Sequence, residues 1–145
     1  LKTGKIITSD AEIRQILESC KTIAVLGASP KPARDSHKVA RYLQAEGYKI
    51  IPVRPAQKEI LGEPACPSLS DIAGPVDMVD AFRNARQIMA HVPEVIRLSP
   101  AVFWMQVGIE NQEAAEQLIA AGIDVVMNRC TKTEHMRLVN EKIIL

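Results

Sequence analysis

Apolar residues change their spacing several times along the chain, and each change marks an element. After Ser9 they recur at Ile13, Ile16 and Leu17, one face of a helix. Ser9 also stands three residues before Glu12, the spacing of a capping box, so a helix is predicted over 10–19. TIAVLG (22–27) is a continuous apolar run ending in glycine, which suits a strand buried on both faces. SHKVARYLQAEG (36–47) returns to helical spacing, with Val39, Ala40 and Leu43 inward and Gly47 as its stop. YKIIPV (48–53) predicts the second strand, and the Pro- and Gly-rich stretch 54–75 a long connection with one helical turn near Ser68–Ile72. VDMVDAF (76–82) predicts the third strand. The helix expected over 85–98 carries Pro93, which has no N–H to donate, so a break is expected there. AVFWMQ (101–106) and IDVVMN (123–128) predict the last two strands, with helices over 111–122 and 133–142.

Strands thus alternate with helices five times, without a repeat or a linker. Such alternation calls for an α/β fold, a Rossmann-like, doubly wound parallel sheet of five strands with helices on both faces. The order expected is 3-2-1-4-5. Ligands sit beyond the carboxyl ends of such strands, where the order reverses. That places a site between the loop after strand one, from Gly27, and the loop after strand four, from Gln106.

Composition narrows the functions. A chain of 145 residues is the size of one domain. Its 18 Lys and Arg against 17 Asp and Glu exclude a nucleic-acid binder that relies on bulk positive charge. Two Phe, two Tyr and one Trp make a poor platform for stacking bases. No apolar run approaches the length of a membrane span, and LKTGKIITSDAEI holds too short a run for a secretory signal. Three cysteines without CxxC spacing suit reduced thiols, and a cytoplasmic protein is expected. The scattered His and Cys offer no metal-ligand spacing.

Charge picks out one place. Between Gly27 and Arg41 lie Lys31, Arg34, Lys38 and Arg41 against the single carboxylate of Asp35. The small residues Gly27, Ala28 and Ser29 let a ligand approach the backbone, and the next helix aims its N-terminus at the same space. A phosphate is the ligand such a turn suits. His37, in the first turn of that helix, stands close enough to join it. The loop is neither GxGxxG nor GxxxxGK[ST], so it fits the dinucleotide fingerprint poorly and is no P-loop. An NAD site would put a carboxylate after strand two to hold the ribose hydroxyls; here stand Val53, Arg54 and Pro55. Arg54 favours a ribose that carries an extra phosphate, as in NADP or coenzyme A.

Taken together, VLGASPKPARDSHKVARYLQAEGYKIIPV, ILGEPACPSLSDI, VDMVDAFRNA, WMQVGIEN and AGIDVVMNRCTKTEH resemble, in the same order, the small bacterial proteins built from a lone coenzyme A-binding domain. That domain is similar to the nucleotide-binding domain of the succinyl-CoA synthetase α subunit, and the resemblance runs over about residues 10–140. It implies non-covalent binding of CoA or acyl-CoA. By position, Gly27, Ala28 and Ser29 would hold phosphates with Lys31 and Arg34, and Val53, Arg54 and Pro55 would lie along the adenosine. Phe82 and Arg83 would border the cleft; Met105, Gln106, Asn128, Arg129 and Cys130 would line the route of the pantetheine arm. The chain departs from the pattern at Arg54, often Asn, and Asn128, often Asp.

The synthetase's phosphorylated histidine belongs to a second domain, and no counterpart of it is expected here. The leading expectation is therefore a binding module without catalysis of its own, possessing a small-molecule partner and room for a protein partner. The alternative is an enzyme, either an NADP-dependent reductase or an acyltransferase using Cys130, with His135 five residues on as its base.

Overall fold

The computed structural model describes residues 3–140. Ser9 starts the first helix as its N-cap: its hydroxyl accepts from the Glu12 N–H at 3.2 Å and donates to Glu12 Oε1 at 2.9 Å. In chain order follow α1 (Asp10–Ser19), β1 (Thr22–Leu26), α2 (Asp35–Ala45), β2 (Lys49–Val53), β3 (Glu59–Ile60), β4 (Glu63–Pro64), a 3₁₀ turn (Leu69–Asp71), β5 (Met78–Ala81), α3 (Ala85–Leu98), β6 (Val102–Met105), α4 (Gln112–Ala120), β7 (Asp124–Val126) and α5 (Thr131–His135). A π turn over Met136–Asn140 continues α5.

Five parallel strands form the sheet, in the order β2-β1-β5-β6-β7. Alternate strand residues feed two cores. Ile23, Val25, Met78 and Trp104 pack with Leu17 of α1 and Leu43 of α2. Ala24, Val79, Phe103 and Met105 pack with Ile88 and Val92 of α3 and Leu118 of α4. Helices therefore cover both faces, which explains why the strands read as continuous apolar runs.

The expected strand order is corrected. The third sheet strand, β5, pairs with β1 and not outside β2. The space outside β2 is already taken: Cys66 bridges to Val53, with Arg54 N–H donating to the Cys66 carbonyl at 2.8 Å and Cys66 N–H to the Pro52 carbonyl at 2.9 Å. At the other edge Ile6 bridges to Val125. Both edges are thus blunted against pairing with another chain.

Three smaller expectations change. The 54–75 connection contains the antiparallel β3–β4 hairpin. Helix α3 runs unbroken through Pro93, whose ring lies on the exposed face, because burial of Ile88, Val92 and Val95 outweighs one missing hydrogen bond. The last helix starts at Thr131 rather than residue 133, and its expected end at 142 lies outside the described residues. Among the described residues, no helix is long and apolar enough to cross a membrane.

Candidate functional site

With β5 beside β1, the strand order reverses between these two, and the crevice opens between the loops that follow them. Gly27 makes that crevice possible. Its φ is +85°, and a Cβ there would meet the Phe82 carbonyl oxygen at 3.1 Å and Arg83 Cδ at 3.3 Å. The turn is held from inside. Ser29 N–H donates to Ser36 Oγ at 3.0 Å, Lys31 N–H donates to Ser29 Oγ at 3.1 Å, and the Ser29 carbonyl lies 2.9 Å from His37 Nδ1. A carbonyl only accepts, so Nδ1 carries the proton. His37 is buried and shapes the loop through this bond.

Helix α2 begins at this turn. Ser9, Asn84 and Asn111 cap α1, α3 and α4 with their side chains, but Arg34 at the start of α2 gives no such bond. The side chains of Lys31, Arg34 and Lys38 are exposed, and none has an ion pair among the described residues. From the end of β2, Arg54 Nη1 reaches back to the Ala28 carbonyl at 3.3 Å. From the end of β5, Arg83 runs under Gly27; its Nε is buried with no hydrogen-bond partner.

Three cavities meet around these residues. One of about 470 Å³ is lined by Gly27, Val53, Arg54, Pro55, Arg83 and the His91–Glu94 pair of α3. One of about 330 Å³ is lined by Gly27, Ser29, Arg34, Asp35, Ser36, Arg54 and Phe82. One of about 410 Å³ is lined by Lys38, Phe82, Arg83, Gln106, Val107 and Cys130, among others. Shared walls at Gly27, Arg54, Phe82 and Arg83 make them one groove across the carboxyl ends of the strands.

Residues 21–136 match the family described as "CoA binding domain". The chain belongs to this CoA-binding domain family. It is 43% identical to the uncharacterized protein YneT of Bacillus subtilis, over 88% of this chain and 94% of that one. Its fold superposes on a solved Thermus thermophilus protein with a TM-score of 0.87 at 47% identity, covering 90% of this chain and 99% of that one. A hypothetical protein from Pyrococcus horikoshii OT3 gives a TM-score of 0.88 at 40% identity, covering 91% and 93%. At the level of fold alone, the chain is similar to part of a Korarchaeum cryptofilum acetyl-coenzyme A synthetase, with a TM-score of 0.64 at 20% identity over 72% of this chain and 25% of that one.

Not every expected residue of the CoA-binding domain reaches the groove. Met105 is fully buried among the α3 and α4 side chains and lines none of the three cavities, since its neighbour Gln106 takes the groove side. Ala28 is fully buried and offers its backbone alone. Lys31 lines none of the three cavities. Arg129 is spent elsewhere: Nη1 bonds Glu134 Oε1 at 2.8 Å and Nη2 the Thr8 carbonyl at 3.1 Å. Asn128, in the left-handed region at φ 59°, accepts from Gly108 N–H at 2.7 Å and so holds the turn after β6. Both Asn128 and Arg129 line a separate hollow, which Cys130 also borders.

His135 turns from the groove. Its Nδ1 pairs with Tyr42 Oη at 2.9 Å, its ring meets Tyr42 and Tyr48 edge-on, and it lines a hollow with Leu17 and Cys20. Sequence reading missed Ser36, Asn84, Val107, His91 and Glu94. Ser36 was legible as a hydroxyl in the first turn of the helix after the basic loop. His91 and Glu94 had no signal, because only the packing of α3 beside the turn at Pro67 and Ser68 brings them in.

Beneath Gln106 lies a buried carboxyl. Asp80, fully buried at the end of β5, accepts from Gln106 Nε2 at 2.5 Å and from Thr131 Oγ1 at 2.9 Å. Burial pushes its pKa up to about 7, and these two hydrogen bonds pull the other way.

Proposed function

We propose that this domain binds coenzyme A non-covalently and acts as a binding module without a reaction of its own. The observation that carries the reading is Arg83 Nε, a buried donor with no acceptor in the protein, set between the glycine turn and two of the three cavities. Buried donors of this kind almost always have a partner, and an anionic ligand in the groove supplies one.

The rest of the groove agrees in chemistry. Ser29 and Ser36 accept from backbone N–H groups and keep their own hydroxyl protons to give to a phosphate. Arg34 and Arg54 border the same cavity, with the uncapped start of α2 beside them. The cavity at Val53, Arg54 and Pro55 suits the adenosine, and Arg54 suits a phosphate on its ribose. The cavity of Phe82, Gln106 and Val107 suits the arm, offering apolar walls at Val39, Phe82, Val107 and Ile109 with the amides of Asn84 and Gln106 beside them.

Small molecules released from the purified protein on denaturation, identified by mass, and titration of the ligand-free protein with CoA and with NADPH test this. CoA is expected to be recovered, and to bind in preference to NADPH. Binding of NADPH that displaces CoA, or no response to CoA at millimolar concentration, ends the reading.

A further inference from the structure

The groove does not stop at Cys130. On its far side lies the hollow of about 500 Å³ that holds Arg129, and the two cavities share Val107 and Cys130 as a common wall. A pantetheine arm laid along the groove delivers its sulfur to this wall, so whatever is attached to the sulfur continues into the hollow.

Its lining specifies what fits. Ile6, Ile7, Val107 and Met127 give apolar surface. Val107 is 66% exposed, one of two large apolar side chains left in water among the described residues, and it stands at the junction. A ligand that covers it removes that apolar surface from water. The hollow also rejects negative charge. Its single cation, Arg129, is held by Glu134 and the Thr8 carbonyl, while Glu110 has no ion-pair partner among the described residues.

We propose that the site takes acyl-CoA bearing a short neutral acyl group, with the thioester at the Val107–Cys130 junction and the acyl chain in the hollow. The proposal rests on the CoA reading above and adds the chemical class of the thioester.

Calorimetric titration of the whole chain with CoA, butyryl-CoA and succinyl-CoA tests it, together with the variants Thr133→Glu and Val107→Ser. Thr133 is exposed and lines the hollow but not the groove. Butyryl-CoA is expected to bind about tenfold tighter than CoA, as a few apolar carbons leaving water allow. Succinyl-CoA is expected to bind no tighter than CoA. Thr133→Glu should erase the butyryl advantage while CoA affinity stays within about twofold, and Val107→Ser should reduce it. If CoA binds and butyryl-CoA binds no tighter, or if Thr133→Glu leaves the advantage intact, the acyl proposal is overturned and the CoA reading stands. If CoA itself does not bind, both fall.

Discussion

The guanidinium of Arg54 donates to the carbonyl of Ala28 across 3.3 Å, tying the end of β2 to the glycine turn that follows β1. One charge thus faces both the turn and the cavity assigned to the ribose. CoA and dephospho-CoA differ only by the ribose phosphate, so they isolate its part. At 100 times its dissociation constant a ligand adds about 2.7 kcal/mol, which for a domain of this size raises the melting temperature by roughly 5–10 °C. Dephospho-CoA at the same concentration should give a smaller rise, and in Arg54→Met the two rises should converge. Equal rises in the unaltered protein would remove Arg54 from reading that phosphate.

Gly27 and Gly47 make a controlled pair. Both hold positive φ, +85° and +99°, but a Cβ at Gly47 meets nothing within 4 Å, whereas at Gly27 it meets the Phe82 carbonyl oxygen at 3.1 Å. Gly47→Ala should therefore cost only the left-handed backbone term, about 1–2 kcal/mol. Gly27→Ala should cost that and about 1 kcal/mol more for crowding, and it should also abolish the thermal response to CoA. Urea unfolding gives both stabilities. Equal losses would mean that the loops after β1 and β5 part easily and that the close approach at Gly27 is not needed.

Asp80 makes the protein less stable as pH rises. Its folded pKa is raised from 3.8 to about 7, so between these values the folded protein holds a proton that the unfolded chain has lost. Stability from this group is then greatest at or below the unfolded pKa, falls as pH rises toward about 7, and is level above it. At about 1.4 kcal/mol per pKa unit the full change is on the order of 4 kcal/mol. Asp80→Asn should flatten the pH dependence of urea unfolding between about 4 and 7. A variant that keeps the slope would assign it to other carboxyls. Gln106 hangs from this carboxyl and lines the arm cavity, so the variant should also weaken CoA binding.

How much of this was open to the sequence follows from the range of each interaction. TIAVL, KIIPV and VFWM read as buried parallel strands because burial on both faces is written into consecutive residues. The glycine turn and the basic helix start are likewise local. Strand order is not: the choice between the two sides of the β1–β2 pair depends on Cys66 occupying the outer edge of β2, a contact thirteen residues from Val53. Met105 and Gln106 were expected together, although adjacent strand residues face opposite ways; only Gln106 reaches the groove. Arg129 was expected on the route of the arm, but one of the partners that hold it elsewhere, the Thr8 carbonyl, is 121 residues away.

The cysteine next to the arm cavity sets the last expectation. Acyl transfer to Cys130 needs a base to take the thiol proton, and His135 was the imidazole that spacing offered. In the fold, His135 Nδ1 is paired with Tyr42 Oη and the ring is packed edge-on between two tyrosines, on a hollow that Cys130 does not line. Cys130 itself begins α5 and borders the groove by position alone. Incubation with butyryl-CoA should therefore leave the intact mass of the protein unchanged after the ligand is removed by denaturation, and Cys130→Ser should keep CoA affinity within about threefold, since it swaps one small side chain for another at a partly exposed wall. An added acyl mass that disappears in Cys130→Ser would turn the binding module into an acyltransferase and would make Tyr42, as the partner of His135, the next residue to change.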